Sequence, residues 1–122
     1  MHKEWTMPLI KVDLHGHVED KVKSRLAAQL SRAAAEATGK PERYVMVVVS
    51  DGAVVRMAGQ EGPAAFVDVR GIGGLNHAVN NDLCRRVSAA LHQEASVPTE
   101  RVYLNFTNVD AASWGHGAET FG

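Results

Sequence analysis

Cys84 is the only cysteine in 122 residues. One thiol excludes an intramolecular disulfide and a Cys-x-x-Cys redox pair, so a reducing, cytoplasmic setting is the expectation. No excess of one charge is present either: 13 Lys and Arg stand against 14 Asp and Glu. That balance leaves no broad electrostatic footprint, and neither nucleic acid nor an anionic membrane is expected as a partner. Long apolar runs are missing as well. Val45-Met46-Val47-Val48-Val49 is strand-sized and far too short to span a bilayer. The opening Met1-His2-Lys3-Glu4-Trp5-Thr6 has no apolar core and does not read as a signal peptide, although export by a leaderless route is compatible with it. These six residues read as an extension or tag before a single domain over residues 7–122. A domain of that size can build a core, yet it is small enough to gain from oligomerisation.

What the chain does hold begins at Met7-Pro8, opening the run Met7-Pro8-Leu9-Ile10-Lys11-Val12. If synthesis starts at Met7 and that methionine is removed, Pro8 becomes a free secondary amine at the head of a strand. With residues 1–6 attached, the same nitrogen is an amide with no proton and no basicity.

A motif is also written twice, about 58 residues apart, the mark of a duplicated supersecondary unit. Glu42-Arg43 before Tyr44-Val45-Met46-Val47 recurs as Glu100-Arg101 before Val102-Tyr103-Leu104-Asn105. In the first copy a strand over Leu9 to Leu14 precedes a helix marked by Val22, Leu26, Leu30, Ala33 and Ala37, spaced by three and four. Gly39 with Pro41 ends that helix. A second strand follows over Tyr44 to Val49. In the second copy Ala65 to Arg70 is the strand, Leu83, Val87, Ala90 and Leu91 mark the helix, and Val102 to Asn108 is the return strand. So short a return implies a parallel pair with a right-handed crossover. Two units predict an α/β protomer, a duplicated β-α-β whose four-stranded mixed sheet carries two helices on one face. Gly59 to Pro63 reads as a turn between the copies, after a further short strand at Val54 to Met57.

Both alternating sets of the strand Tyr44 to Val49 are apolar, while two helices cover only one face of a sheet. Self-association is the economical way to bury the other. In the last strand Tyr103, Asn105 and Thr107 share the face opposite Val102, Leu104 and Phe106. A Tyr beside an Asn suits ligand orientation, and equally suits hydrogen bonding at a subunit contact.

From Pro8 to Phe121 the chain resembles macrophage migration inhibitory factor and its relatives in the tautomerase superfamily. The matching segments are Met7-Pro8-Leu9-Ile10, Ala37 to Val45, Val69 to Leu75, Arg101 to Phe106, Trp114-Gly115 and Thr120-Phe121. The resemblance implies a homotrimer with an active site at each subunit interface. It implies keto–enol tautomerase activity on phenylpyruvate-like substrates, a small enolisable keto acid or aromatic ketone, with no cofactor and no metal. Under it Pro8 is the catalytic base, Lys40 the cation beside it, and Ile72 a pocket residue. Tyr103 and Asn105 come from the neighbouring subunit, Tyr103 as hydrogen-bond donor or acid. This chain is a few residues shorter after Gly74 than the animal proteins, and a shifted alignment puts Val69 in place of Ile72. Pro63-Ala64-Ala65-Phe66 stands where some animal members carry Cys-x-x-Cys, and His116 stands where many relatives have an aromatic. The alternative of a different class is a non-catalytic, cytokine-like trimer of the same fold that recognises a receptor protein. Arg70 leaves a third reading, a related hydratase or dehalogenase.

Other motifs have plainer readings. Gly39-Lys40-Pro41 lacks the remainder of a phosphate loop, and Gly71-Ile72-Gly73-Gly74 reads as a turn. His15-Gly16-His17 with Asp13 reads as a loop rather than a metal site. Cys84 reads as an inert helix thiol, and Arg85-Arg86 as a solvated helix face.

Overall fold

The structure, a computed structural model, describes residues 7–122; the extension expected over residues 1–6 lies outside them. Strand β1 (Leu9–His15) leads into helix α1 (Asp20–Thr38), and strand β2 (Met46–Ala53) returns beside β1. The hairpin β3 (Arg56–Met57) and β4 (Gln60–Glu61) joins the two halves. The second half repeats the plan with β5 (Ala65–Gly71), α2 (His77–Ala95) and β6 (Val102–Asn108), and a small hairpin, β7 (Gly115–His116) and β8 (Glu119–Thr120), closes the chain. The sheet order is β2-β1-β5-β6. β1 and β2 are parallel, as are β5 and β6, while β1 and β5 run antiparallel. The duplicated β-α-β unit and the four-stranded mixed sheet are therefore present as the sequence predicts.

One face of the sheet makes the core. Ile10, Val12 and Leu14 of β1 and Val67 and Val69 of β5 pack with Leu26 and Leu30 of α1 and Leu83, Val87 and Leu91 of α2. The alternation buries every second residue of β1 and β5, as a period of two requires. The helices are antiparallel to one another, because Arg25 and Gln29 of α1 bond Glu94 near the end of α2 while Glu36 pairs Arg86 near its middle. Arg86 is thus an interhelical bridge rather than part of a solvated face. The Arg25 guanidinium, and then the Gln29 amide, hold the Glu94 carboxyl below its ordinary range.

Three local expectations are corrected. Tyr44 and Val45 precede the strand: Glu42–Tyr44 forms a 3₁₀ turn, with Tyr44 N–H donating to the Pro41 carbonyl at 3.2 Å and Val45 N–H to that of Glu42 at 2.9 Å. The expected strand at Val54 to Met57 shrinks to two residues, and the expected turn from Gly59 contains β4. Ala58 (φ 53°) and Gly59 (φ 75°) supply the two consecutive positive-φ residues of a tight hairpin.

Candidate active site

The far face of the sheet is open. Its rows, read across β2, β1, β5 and β6, are Met46-Leu9-Arg70-Thr107, Val48-Lys11-Asp68-Asn105 and Ser50-Asp13-Phe66-Tyr103. Met46 is 63 % exposed, Phe66 44 % and Tyr103 67 %. The charges in the middle strands compensate locally, with Lys11 3.0 Å from Asp13 and Arg70 3.2 Å from Asp68.

At the start of β1 a cavity of about 480 Å³ opens, within the usual range for a small-molecule site. Pro8, Leu9, Arg43, Tyr44, Trp114 and Phe121 are among its lining residues. Three pieces of local structure make it. Pro8 is fully buried, and its carbonyl accepts the Met46 N–H at 3.0 Å, fastening the head of β1 to β2. The 3₁₀ turn after α1 presents Arg43 and Tyr44, the guanidinium carbon lying 4.7 Å from the ring centroid. The terminal hairpin supplies a further wall, closed by Phe121 N–H donating to the Trp114 carbonyl at 3.1 Å. Its His116 stacks on Phe121 with ring centroids 5.6 Å apart, so this imidazole forms part of the cavity wall. Met7, immediately before Pro8, has φ 40°, a region that L-residues avoid.

The sequence-predicted residues do not all meet here. Lys40 lies on the same loop as Arg43, just past Gly39, and its N–H donates to Thr38 Oγ1 at 3.3 Å. As formed by the described residues, the lining does not include Lys40, Ile72, Tyr103 or Asn105. Ile72 is buried just beyond β5, and Val69, its alternative, is fully buried in the helix-side core. Tyr103 borders a separate cleft of about 260 Å³ with Arg56, Phe66 and Arg101. Two strand spacings and about five residues of strand separate it from Pro8, well over ~15 Å within one protomer.

Compared with known proteins, residues 7–122 match the family model described as macrophage migration inhibitory factor. The chain belongs to that family. A homologue of macrophage migration inhibitory factor from Brugia malayi is 30 % identical over 116 residues, covering 95 % of this chain and all of its own length. The solved macrophage migration inhibitory factor of Toxoplasma gondii superposes with a TM-score of 0.89 at 31 % identity, covering 92 % of this chain and 98 % of its own. The homologue from Prochlorococcus marinus gives 0.88 at 31 % identity, over 93 % and 99 %. The family lies in the tautomerase superfamily, which supports an isomerase.

Within this family fold, Arg43, Tyr44, Trp114 and Phe121 are cavity residues that the site reading of the sequence missed. A signal was present: with only two Trp, two Tyr and three Phe in the chain, three aromatics gather at one cavity. The other motifs resolve as structure. Gly39 caps α1 with φ 70°. His15 Nδ1 accepts the Val55 N–H at 2.9 Å, and His17 lies 3.4 Å from Asp51. Burial pushes the Cys84 thiol up, against reactivity. Arg70 is paired with Asp68 on the open face.

Proposed function

We propose that this protein is a keto–enol tautomerase of phenylpyruvate-type substrates, acting through the secondary amine of Pro8 in a chain that begins there. The observation that carries the reading is Pro8 itself: a buried proline at the head of β1, in an otherwise largely apolar cavity of small-molecule size, in a chain of this family. Tautomerisation removes a proton from the carbon α to a carbonyl and returns one to the enol oxygen, or the reverse, so a base that titrates near working pH serves it. An ordinary α-amine titrates near about 8. Burial disfavours the ammonium, as does a nearby cation such as Lys40, and both lower that value toward neutrality. Lys40 draws the substrate carboxylate and stabilises developing enolate charge.

The working unit we propose is a homotrimer, the assembly typical of the family. The distance between Pro8 and Tyr103 supports it, because Tyr103 and Asn105 reach a Pro8 only on another subunit. There Tyr103 acts as hydrogen-bond donor or acid and Asn105 holds the far end of the ligand, with Ile72 near the pocket. The proposed compartment is the cytoplasm, where Cys84 stays reduced.

The test is ketonisation of phenylenolpyruvate by the full-length protein and by protein starting at Pro8, with both N-termini verified by intact mass. Activity confined to the Pro8 form is the expected result. Equal activity in both forms overturns the assignment of the base. A second reading follows if residues 1–6 stay attached: Pro8 is then an amide without basicity, which leaves a cytokine-like or receptor-binding trimer without catalysis. Inactivity of both forms selects it.

A further inference from the structure

The duplication gives Arg43 a counterpart, Arg101, in the matching 3₁₀ turn of the second repeat. Their surroundings differ. Arg101 donates to the carbonyls of Pro63 at 2.8 Å, Gln60 at 2.9 Å and Met57 at 3.4 Å, and so fastens the β3–β4 hairpin. Arg25, Arg56, Arg70, Arg85 and Arg86 each lie within 3.2 Å of a carboxylate. Arg43 does neither. Among the described residues it has no carboxylate at ion-pair distance; it stacks on Tyr44 and donates from Nη2 to the Tyr44 hydroxyl at 3.3 Å, on the wall of the Pro8 cavity.

A guanidinium carries five N–H donors in a rigid fork that matches a carboxylate. Stacking on an aromatic face holds the plane of that fork without consuming its edge. One bond to Tyr44 leaves donors for a ligand, while Leu9, Val45, Met46 and Trp114 offer an apolar surface to the ligand's body. The Tyr44 hydroxyl, accepting from Arg43, keeps its own proton to donate.

We infer that Arg43, braced on Tyr44, is an anion seat that makes the cavity select ligands with two carboxylates at opposite ends of an apolar body. On the tautomerase reading, which this specificity deepens, the preferred substrates are keto acids whose second carboxylate lies remote from the enolisable carbon. Lys40, on the same loop but outside the lining formed by the described residues, is then the seat for the carboxylate beside the keto group, and Arg43 takes the other.

Two measurements separate the seat from the catalysis. Calorimetric titration with cinnamate and with 4-carboxycinnamate, neither of which enolises, reads the seat alone. A charge-assisted pair predicts that the protein starting at Pro8 binds 4-carboxycinnamate about tenfold more tightly. Arg43→Gln is expected to level the two affinities, and Arg43→Glu to reverse their order. Equal affinities in the parent, or a preference that survives Arg43→Glu, overturns the inference. The ratio of kcat/KM for 4-carboxyphenylenolpyruvate over phenylenolpyruvate should follow the same order across the three proteins. Turnover of neither compound with the binding preference intact sinks the tautomerase reading and supports the seat.

Discussion

Pro8 is fully buried at the head of a strand, with its carbonyl committed to the β1–β2 ladder. In protein starting at Pro8, Pro8→Gly keeps an amine but loses its secondary character and ring packing. We expect kcat to fall on the order of 10²-fold or more, the span general-base catalysis commands, with stopped-flow ketonisation as the check. Lys40→Ala is expected to raise KM more than it lowers kcat, because it removes attraction for the carboxylate. Asp51 offers a pH test away from the site. The Val18 N–H at 2.8 Å, then the Lys23 ammonium at 2.9 Å, pull its carboxyl down to about 2. A depressed folded-state value stabilises the fold above the ordinary carboxylate range, and that contribution fades as pH falls toward about 2. Asp51→Asn should therefore lower Tm at pH 7, with the gap from the parent closing progressively below about pH 4. At this scale Pro8 was legible because removal of Met7 would leave it a secondary amine, and because Met7-Pro8 opens a segment that resembles the family. Arg43 was not, since nothing local distinguishes an arginine stacked at a cavity from one clamping carbonyls.

The two repeats also provide a controlled comparison of elements. Both helices have 19 residues, and each ends on a left-handed residue: Gly39 at φ 70° after α1 and Ser96 at φ 57° after α2. Glycine adopts that conformation without penalty, whereas a residue bearing a Cβ is disfavoured there. Ser96→Gly is expected to stabilise by about 0.5–1 kcal/mol and Gly39→Ser to destabilise by about as much, read from urea midpoints at unchanged slope. Asn76 caps α2 by accepting the Val79 N–H at 3.0 Å, and Asn76→Ala should cost about 1 kcal/mol. The helices were legible from spacing alone, as period 3.6 is strongly written in Leu26, Leu30, Leu83, Val87 and Leu91. The start of β2 was misread for a physical reason. Tyr44 and Val45 have strand-forming side chains, yet two local i→i+3 hydrogen bonds after Pro41 capture their backbone first.

On the scale of the molecule, one sheet face is covered by helices and the other, among the described residues, has no helix against it. Met46, Val48, Phe66 and Tyr103 are exposed there, while Lys11–Asp13 and Asp68–Arg70 already pair within the sheet. Internal pairing lets such charges be covered without leaving one uncompensated. On the proposed trimeric tautomerase, Val48→Arg should therefore shift the protein toward monomer in sedimentation velocity and reduce activity together with assembly. Loss of assembly with full activity would argue against a site shared between subunits. The sequence by itself determined the duplication and the helix faces, because periodicity and capping are local or repeated patterns; the family and the candidate base came from its resemblance to known members, carried by Met7-Pro8 and the other matching segments. Only the tertiary structure decided which residues share a cavity. Arg43, Trp114 and Phe121, far apart in the chain, line one cavity with Pro8. Tyr103 and Pro8 are held apart by strand order, which no local pattern encodes.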